Sequence, residues 1–256
     1  MGNERIILVT GATGVVGNEL IRHFLAAGDS VVATAYDEVP GVTTLSKLAE
    51  GLDADRLFTI SLDLEAPTAL DELLAFLDRE NLRPTGLVNA ARNLSHLKLD
   101  DQNRPYREGW LGEFNLDVVI AYELTMRLAL QPESRLEGVV GISSMYGMVA
   151  PHPELYEDFG HQSPIHYGVV KAAQIHLAKE LAVRLAPNKI RVNTVSLGGI
   201  EGRVDDAFKQ RYASFCPQRR MLAKSEVAAA VDFLLSQGAS AVTGQNLAVD
   251  GGWTTW

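Results

Sequence analysis

The chain holds one cysteine, Cys216, among 256 residues. No intrachain disulfide can form, and neither a CxxC redox pair nor a cysteine zinc cluster can be assembled. This suits a reducing compartment, so the expected location is the cytoplasm. Long apolar runs are missing too. No window approaches about 18 uninterrupted apolar residues, so no membrane-spanning helix and no membrane partner are expected. The start lacks a basic stretch leading into an apolar run and a small-residue cleavage site, so no signal peptide is expected. Positive charge is in deficit: 23 Lys+Arg against 32 Asp+Glu give −9. That balance argues against nucleic acid as a partner. Only 21% of residues are charged while 46% are apolar, which excludes a disordered chain. The 6 histidines show no HExxH-like spacing, so they read as structural and no metal is expected.

What is present is a regular alternation of short apolar runs and helical periods. Residues 5–10, 30–36, 56–61, 86–91, 138–144, 190–196 and 246–249 read as strands. Residues 15–27, 68–80, 111–130, 163–186 and 225–237 read as helices, and 42–51 suits a short one. Gly28 is placed to close the first helix in a left-handed conformation. Ser163 and Pro164 are placed to open the long helix, and Ser225 to cap the last. Near-continuous apolar strands alternating with helices predict an α/β chain. Its expected form is a Rossmann-type, doubly wound, seven-stranded parallel sheet flanked by helices. Residues 1–256 are expected to form one domain. Three irregular stretches, 92–110, 150–163 and 198–222, follow strands at the edge where such sheets bind ligands.

The first strand runs straight into Thr10-Gly11-Ala12-Thr13-Gly14-Val15-Val16-Gly17 and a helix. Gly11 permits the tight turn. Gly14 and Gly17 lack Cβ atoms, so backbone N–H groups at a helix start can approach a pyrophosphate. A dinucleotide is therefore expected against Gly11, Thr13, Gly14, Val15 and Val16. Asp37, beside Tyr36 at the end of the second strand, is placed to meet the adenosine ribose. No Lys or Arg stands between Arg22 and Lys47, so nothing local would pair a 2′-phosphate, which Asp37 would repel. NAD(H) is favoured over NADP(H). Asp63, with Leu64 beside it, can accept a hydrogen bond from the adenine amino group or cap the following turn.

Tyr167 and Lys171 stand four apart on an expected helix and so share a face. A tyrosine hydroxyl is a weak base at neutral pH, and a neighbouring ammonium favours the phenolate. That is what a proton donor and acceptor for a carbonyl–alcohol pair requires. Ser144 ends the fifth strand at the same sheet edge. Asn115 is an amide on an otherwise apolar helix face.

Taken in order, these segments resemble the short-chain dehydrogenase/reductase family over essentially the whole chain, with the length and the C-terminal Val249-Asp250-Gly251-Gly252 of its classical branch. The resemblance adds Asn89-Ala90-Ala91 and Gly198-Gly199-Ile200 to the motifs already named. It implies hydride transfer at a CH–OH group. It makes Tyr167 the acid/base, has Ser144 orient the substrate oxygen, has Lys171 hold the nicotinamide ribose, and has Asn115 anchor a relay water. It adds Asn89, Ala90, Ala91, Gly198 and Ile200 to the cofactor contacts. It also implies a homo-oligomer, dimer or tetramer. The helices at 111–130 and 163–186 would meet a second copy, and Trp253 and Trp256 would be covered there.

Several residues depart from the pattern. The glycines fall at the spacing of the family's extended branch. Ala35 occupies the usual NAD-selecting Asp position. Arg92 replaces the glycine of NNAG, Leu197 replaces a proline, and Glu201 stands where a threonine is usual. Ser144 and Tyr167 lie 23 residues apart, wider than the family's habit. The extra segment around Tyr156 is acidic and aromatic. With the SSMYG and GGI segments, it resembles reductases of flagellin and surface-glycan sugar modification. The expected substrate is a polar, sugar-like small molecule contacted by Arg92, Ser144, Tyr156 and Tyr167. Two other readings stand beside this one: a lyase or epimerase that recycles its cofactor internally, and a non-catalytic nucleotide-binding regulator.

Overall fold

The computed structural model describes residues 5–36, 51, 53, 55–202 and 204–256. Asp37, the helix expected at 42–51 and Arg203 therefore lie outside the described residues, apart from Gly51. Seven strands form one parallel sheet: β1 Ile6–Thr10, β2 Ser30–Ala35, β3 Leu57–Ser61, β4 Gly86–Asn89, β5 Gly138–Ser144, β6 Arg191–Leu197 and β7 Asn246–Val249. Their order is β3-β2-β1-β4-β5-β6-β7. The chain reverses its direction of travel between β1 and β4, which opens a crevice at their carboxyl ends. Every residue of β1, β2 and β5 is buried, as expected for strands covered on both faces.

One face carries the helices Ala69–Arg79, Ala121–Ala129 and Ile165–Leu185, around a core including Leu73, Leu87, Leu124 and Leu181. The other carries Val15–Ala26 and Val227–Leu235, around Ile7, Leu20, Phe24, Val140 and Val231. A smaller cluster of Met145, Leu155, Tyr212, Cys216, Met221 and Trp253 sits beyond the sheet edge. Among the described residues no helix is long and apolar enough to cross a membrane.

The structure corrects four local expectations. The helix expected at 111–130 begins at Arg107, and a π-helical turn, Asn115–Ile120, interrupts it before Ala121–Ala129. Pro164, not Ser163, is the N-cap residue of Ile165–Leu185, because its ψ of 119° keeps it outside the helix. Ser225 caps nothing: it lies inside the 3-10 turn Lys224–Glu226, where the Glu226 carboxylate accepts Ala223 N–H at 2.8 Å. The following helix ends at Leu235, since Ser236 turns away at ψ 166°. Gly28 does close the first helix at φ +88°, its N–H reaching Leu25 O, while Asp29 N–H reaches Phe24 O.

Candidate active site

The end that carries the glycine turn is built largely from missing side chains. The Thr10 hydroxyl oxygen accepts the N–H groups of Ala90 and Ala91 at 3.0 and 3.1 Å, clamping the ends of β1 and β4 together. Gly11 follows at φ +69°, and a Cβ there would lie 2.6 Å from Ala91 Cα. A Cβ on Gly17 would lie 2.3 Å from the Gly11 carbonyl oxygen. Gly14 is the N-cap of Val15–Ala26, and no side chain caps that helix. The first-turn N–H groups, at the positive end of a helix dipole, thus face a cradle that side chains would fill. That is the chemistry a pyrophosphate requires. Thr13, Val15 and Val16 are half-buried around it. Asp63 is exposed, and its carboxylate accepts Glu65 N–H at 2.9 Å, so it caps the turn. Leu64, Asn89 and Ala91 line a small cavity beneath the edge with Thr10, Asp117 and Gln174.

The end that carries Ser144, Tyr167 and Lys171 is built from contacts between distant segments. Ser143 donates to the Lys171 carbonyl at 3.0 Å, tying β5 to the long helix. A Cβ on Gly147 would lie 2.8 Å from the Lys171 backbone, and one on Gly168 would lie 2.9 Å from Tyr146 O. These approaches press the turn after Ser144 against Tyr167–Lys171, despite the segment between them. The Ser144 hydroxyl oxygen accepts Tyr146 N–H at 3.2 Å. Asn115 is half-buried at the first position of the π turn, where the regular ladder is loosened.

Lys171 is 5% exposed. Its ammonium pairs with Asp117 Oδ2 at 2.8 Å and donates to Ile142 O at 3.1 Å and Gln174 Oε1 at 3.4 Å. It lies 5.9 Å from the centroid of the Tyr167 ring. The Arg92 guanidinium lies closer, 4.4 Å from the same centroid. One turn before Asp117, Glu113 is buried as well. Burial first, then the Asp117 charge, pushes its carboxyl up to about 6, against the pull of Arg92, Lys171 and His96. The sequence reading missed Asp117 and Glu113. Their signal was two acids four apart on an otherwise apolar helical run.

Among the histidines, buried His166 donates Nε2–H to His96 O at 2.9 Å, and burial lowers its pKa. Among the described residues no His, Cys, Asp and Glu cluster could hold a metal.

The inserted segment docks on the helix Asp206–Phe215. Leu155 is fully buried, and Arg211 donates to its carbonyl at 2.8 Å and pairs with Glu157 at 3.3 Å. The Tyr156 and Tyr146 hydroxyls lie 2.5 Å apart. Asp158 accepts His161 N–H at 3.1 Å. Several groups expected to face a sugar thus bond within the chain. Gly198 is pinned by its N–H to Val249 O at 2.9 Å, and Ile200 bridges Leu222. Trp253 is 6% exposed and stacks on Tyr212 at 4.5 Å. It is covered by its own chain, which corrects the expectation that a second copy covers it. Trp256 remains 77% exposed.

A doubly wound sheet with this glycine turn and this tyrosine–lysine helix defines a dehydrogenase/reductase class. A family model described as enoyl-(acyl carrier protein) reductase matches residues 11–254, and the chain belongs to that family, the short-chain dehydrogenases/reductases. Post-translational flagellin modification protein A of Campylobacter coli is 39% identical over 115 residues, 45% of each chain. That match spans less than half of the relative's length. The NADH-dependent L-xylulose reductase of Ambrosiozyma monospora is 27% identical over 98% of this chain and 95% of its own. The structure of a short-chain dehydrogenase from Leptospira borgpetersenii with bound NAD+ superposes with a TM-score of 0.83. It is 28% identical, covering 98% of this chain and 93% of that one.

Proposed function

We propose that this chain is a nicotinamide-dependent oxidoreductase that interconverts a carbonyl and a secondary alcohol on a polar, polyhydroxylated small molecule. One observation carries the reading. The segment that packs on the Gly11 turn, Ala90-Ala91, continues directly into Arg92, whose guanidinium lies on the Tyr167 ring. The nucleotide cradle and the candidate acid/base are thereby one site.

A bound nicotinamide supplies or accepts the hydride. Tyr167 gives its hydroxyl proton to the carbonyl oxygen in reduction and takes it back in oxidation. Ser144 donates to the same oxygen and orients it. Lys171 places a cation behind the tyrosine, and Asp117 with Ile142 O and Gln174 fixes where that cation sits. Asn115, at the loosened π turn, holds water next to Lys171. Gly198 and Ile200 support the nicotinamide side of the cleft.

NAD(H) is favoured because no Lys or Arg stands between Arg22 and Lys47 in the sequence, with Asp37 as the ribose-reading group. The L-xylulose reductase relative uses NADH and acts on a sugar, which supports both halves of the reading. The whole chain works as one domain in the cytoplasm, as a homo-oligomer. Leu111, Phe114, Tyr122, Ile165 and Val169, exposed on the two long helical segments, supply the apolar surface for a second copy.

Absorbance of NADH and NADPH, followed side by side over a panel of ketoses and other oxo compounds, tests the proposal. The expected result is consumption of NADH over NADPH. No turnover of any carbonyl, with no calorimetric binding of either cofactor, overturns it.

A further inference from the structure

Arg92 stands where the family places a glycine, and the structure shows where its charge goes. The residue is exposed, at the carboxyl end of β4. Its guanidinium lies 4.4 Å from the Tyr167 ring centroid. Among the described residues it makes no hydrogen bond and no ion pair, whereas the Lys171 ammonium is engaged on Asp117 and the Arg211 guanidinium on Glu157. A guanidinium resting over a ring with no partner on its N–H groups can offer its fork to a planar or tetrahedral anion beside Tyr167.

The inserted segment is acidic in sequence and would oppose an anion there. In the fold part of that opposition is met within the chain. Glu157 is paired with Arg211, and Asp158 caps the turn Phe159–Gln162. Arg92 also pulls on the charge of Glu113, a carboxyl buried one turn before Asp117.

We propose that Arg92 is an anion-binding residue, and that the substrate carries a carboxylate or phosphate α or β to the carbon reduced at Tyr167. The substrate class is then an oxo acid or a phosphorylated oxo compound, with hydroxyls elsewhere. The inference rests on the oxidoreductase reading for the word substrate, but not for the anion site itself.

The test has a binding arm and a turnover arm, both on the full chain loaded with NADH. Calorimetry follows malonate, dimethyl malonate and inorganic phosphate. Turnover compares acetoacetate with methyl acetoacetate, and dihydroxyacetone phosphate with dihydroxyacetone. Malonate or phosphate is expected to bind while the neutral diester does not, and the charged member of at least one pair to have a tenfold higher kcat/KM. Which pair responds tells carboxylate from phosphate. Arg92→Leu should weaken anion binding at least tenfold and erase the kcat/KM ratio. Arg92→Lys, with charge but no fork, should recover part of both, and NADH affinity should stay within twofold in each.

Equal anion binding by wild type and Arg92→Leu overturns the proposal. So does a preference for the neutral member of both pairs. If neutral carbonyls are reduced while anions neither bind nor compete, the anion site fails and the oxidoreductase reading stands. If anions bind through Arg92 and nothing is reduced, the site stands and the oxidoreductase reading fails.

Discussion

The glycine turn proposed to hold the nucleotide and the helix that carries Tyr167 and Lys171 share one sheet edge and are built in opposite ways. The turn works by omission: Gly11, Gly14 and Gly17 remove side chains so that backbone N–H groups are reachable. The other end packs charge inward, with the Lys171 ammonium buried against Asp117 and Glu113 buried one turn before it, while the exposed Arg92 guanidinium lies over the Tyr167 ring. A site that recognises through backbone can be written within eight consecutive residues. A site that tunes charge in a buried space needs partners from several elements, because a lone buried ion is too costly to keep.

The largest effect should come from the chemical end. Tyr167→Phe is expected to lower kcat about 1,000-fold and to leave NADH affinity within twofold. Stopped-flow absorbance and calorimetry read the two separately. If both fell together, the separation of the two ends would be wrong.

At the other end, Gly17→Ala places a Cβ 2.3 Å from the Gly11 carbonyl oxygen. Backbone must move, so a loss of roughly 3 kcal/mol in urea unfolding is expected, with NADH binding at least about 100-fold weaker. Unchanged NADH affinity would break the claim that this turn is the cradle.

The buried ion pair comes next. Asp117→Asn strands the Lys171 ammonium and should cost about 3 kcal/mol. A double Asp117→Leu, Lys171→Met variant should be more stable than the single one, because no charge is then left alone. Additive losses in denaturant melts would show that Asp117 packs without pairing.

Replacing residues 151–160 by a short Gly/Ser link should raise KM for the true substrate about tenfold, a loss of about 1.4 kcal/mol, and leave NADH affinity nearly unchanged. It removes Leu155 from its pocket and Tyr156 from Tyr146. An unaffected kcat/KM would make the segment purely structural.

The smallest effect is one of pH. Glu113 is raised from 4.5 to about 6 in the fold, chiefly by burial. The folded state therefore binds its proton more tightly than the unfolded one. Stability from this group is fully present below 4.5 and is lost as pH rises through about 6. Glu113→Gln should flatten that window. Parallel Tm curves for the two proteins between pH 4 and 7 would contradict it.

Much of this was legible in the chain itself. All seven strands were readable, the five inner ones because buried parallel strands are continuous apolar runs, and β5 and β7 fall within the expected limits. The glycine turn was readable because its spacing is its mechanism. Tyr167 and Lys171 were readable as a pair because four residues make one helical turn. Helix starts were less so: Ser163 resembles a cap by type, yet the Pro164 dihedral decides where the helix opens. Trp253 shows the same limit. A tryptophan near the chain end looks like interface material until Tyr212 and Phe215 are seen to cover it.

The amino-acid sequence by itself determined the alternating elements, the sheet class, the nucleotide turn and the tyrosine–lysine pair. Each depends on residues within one or two helical turns, or on the period of burial. Only the tertiary structure decided which charges meet. Asp117 and Lys171 are 54 residues apart, and Arg92 and Tyr167 are 75 apart. Glu157 is turned onto Arg211 from another loop. Coulomb energy depends on distance and burial in space, and neither is carried by position along the chain.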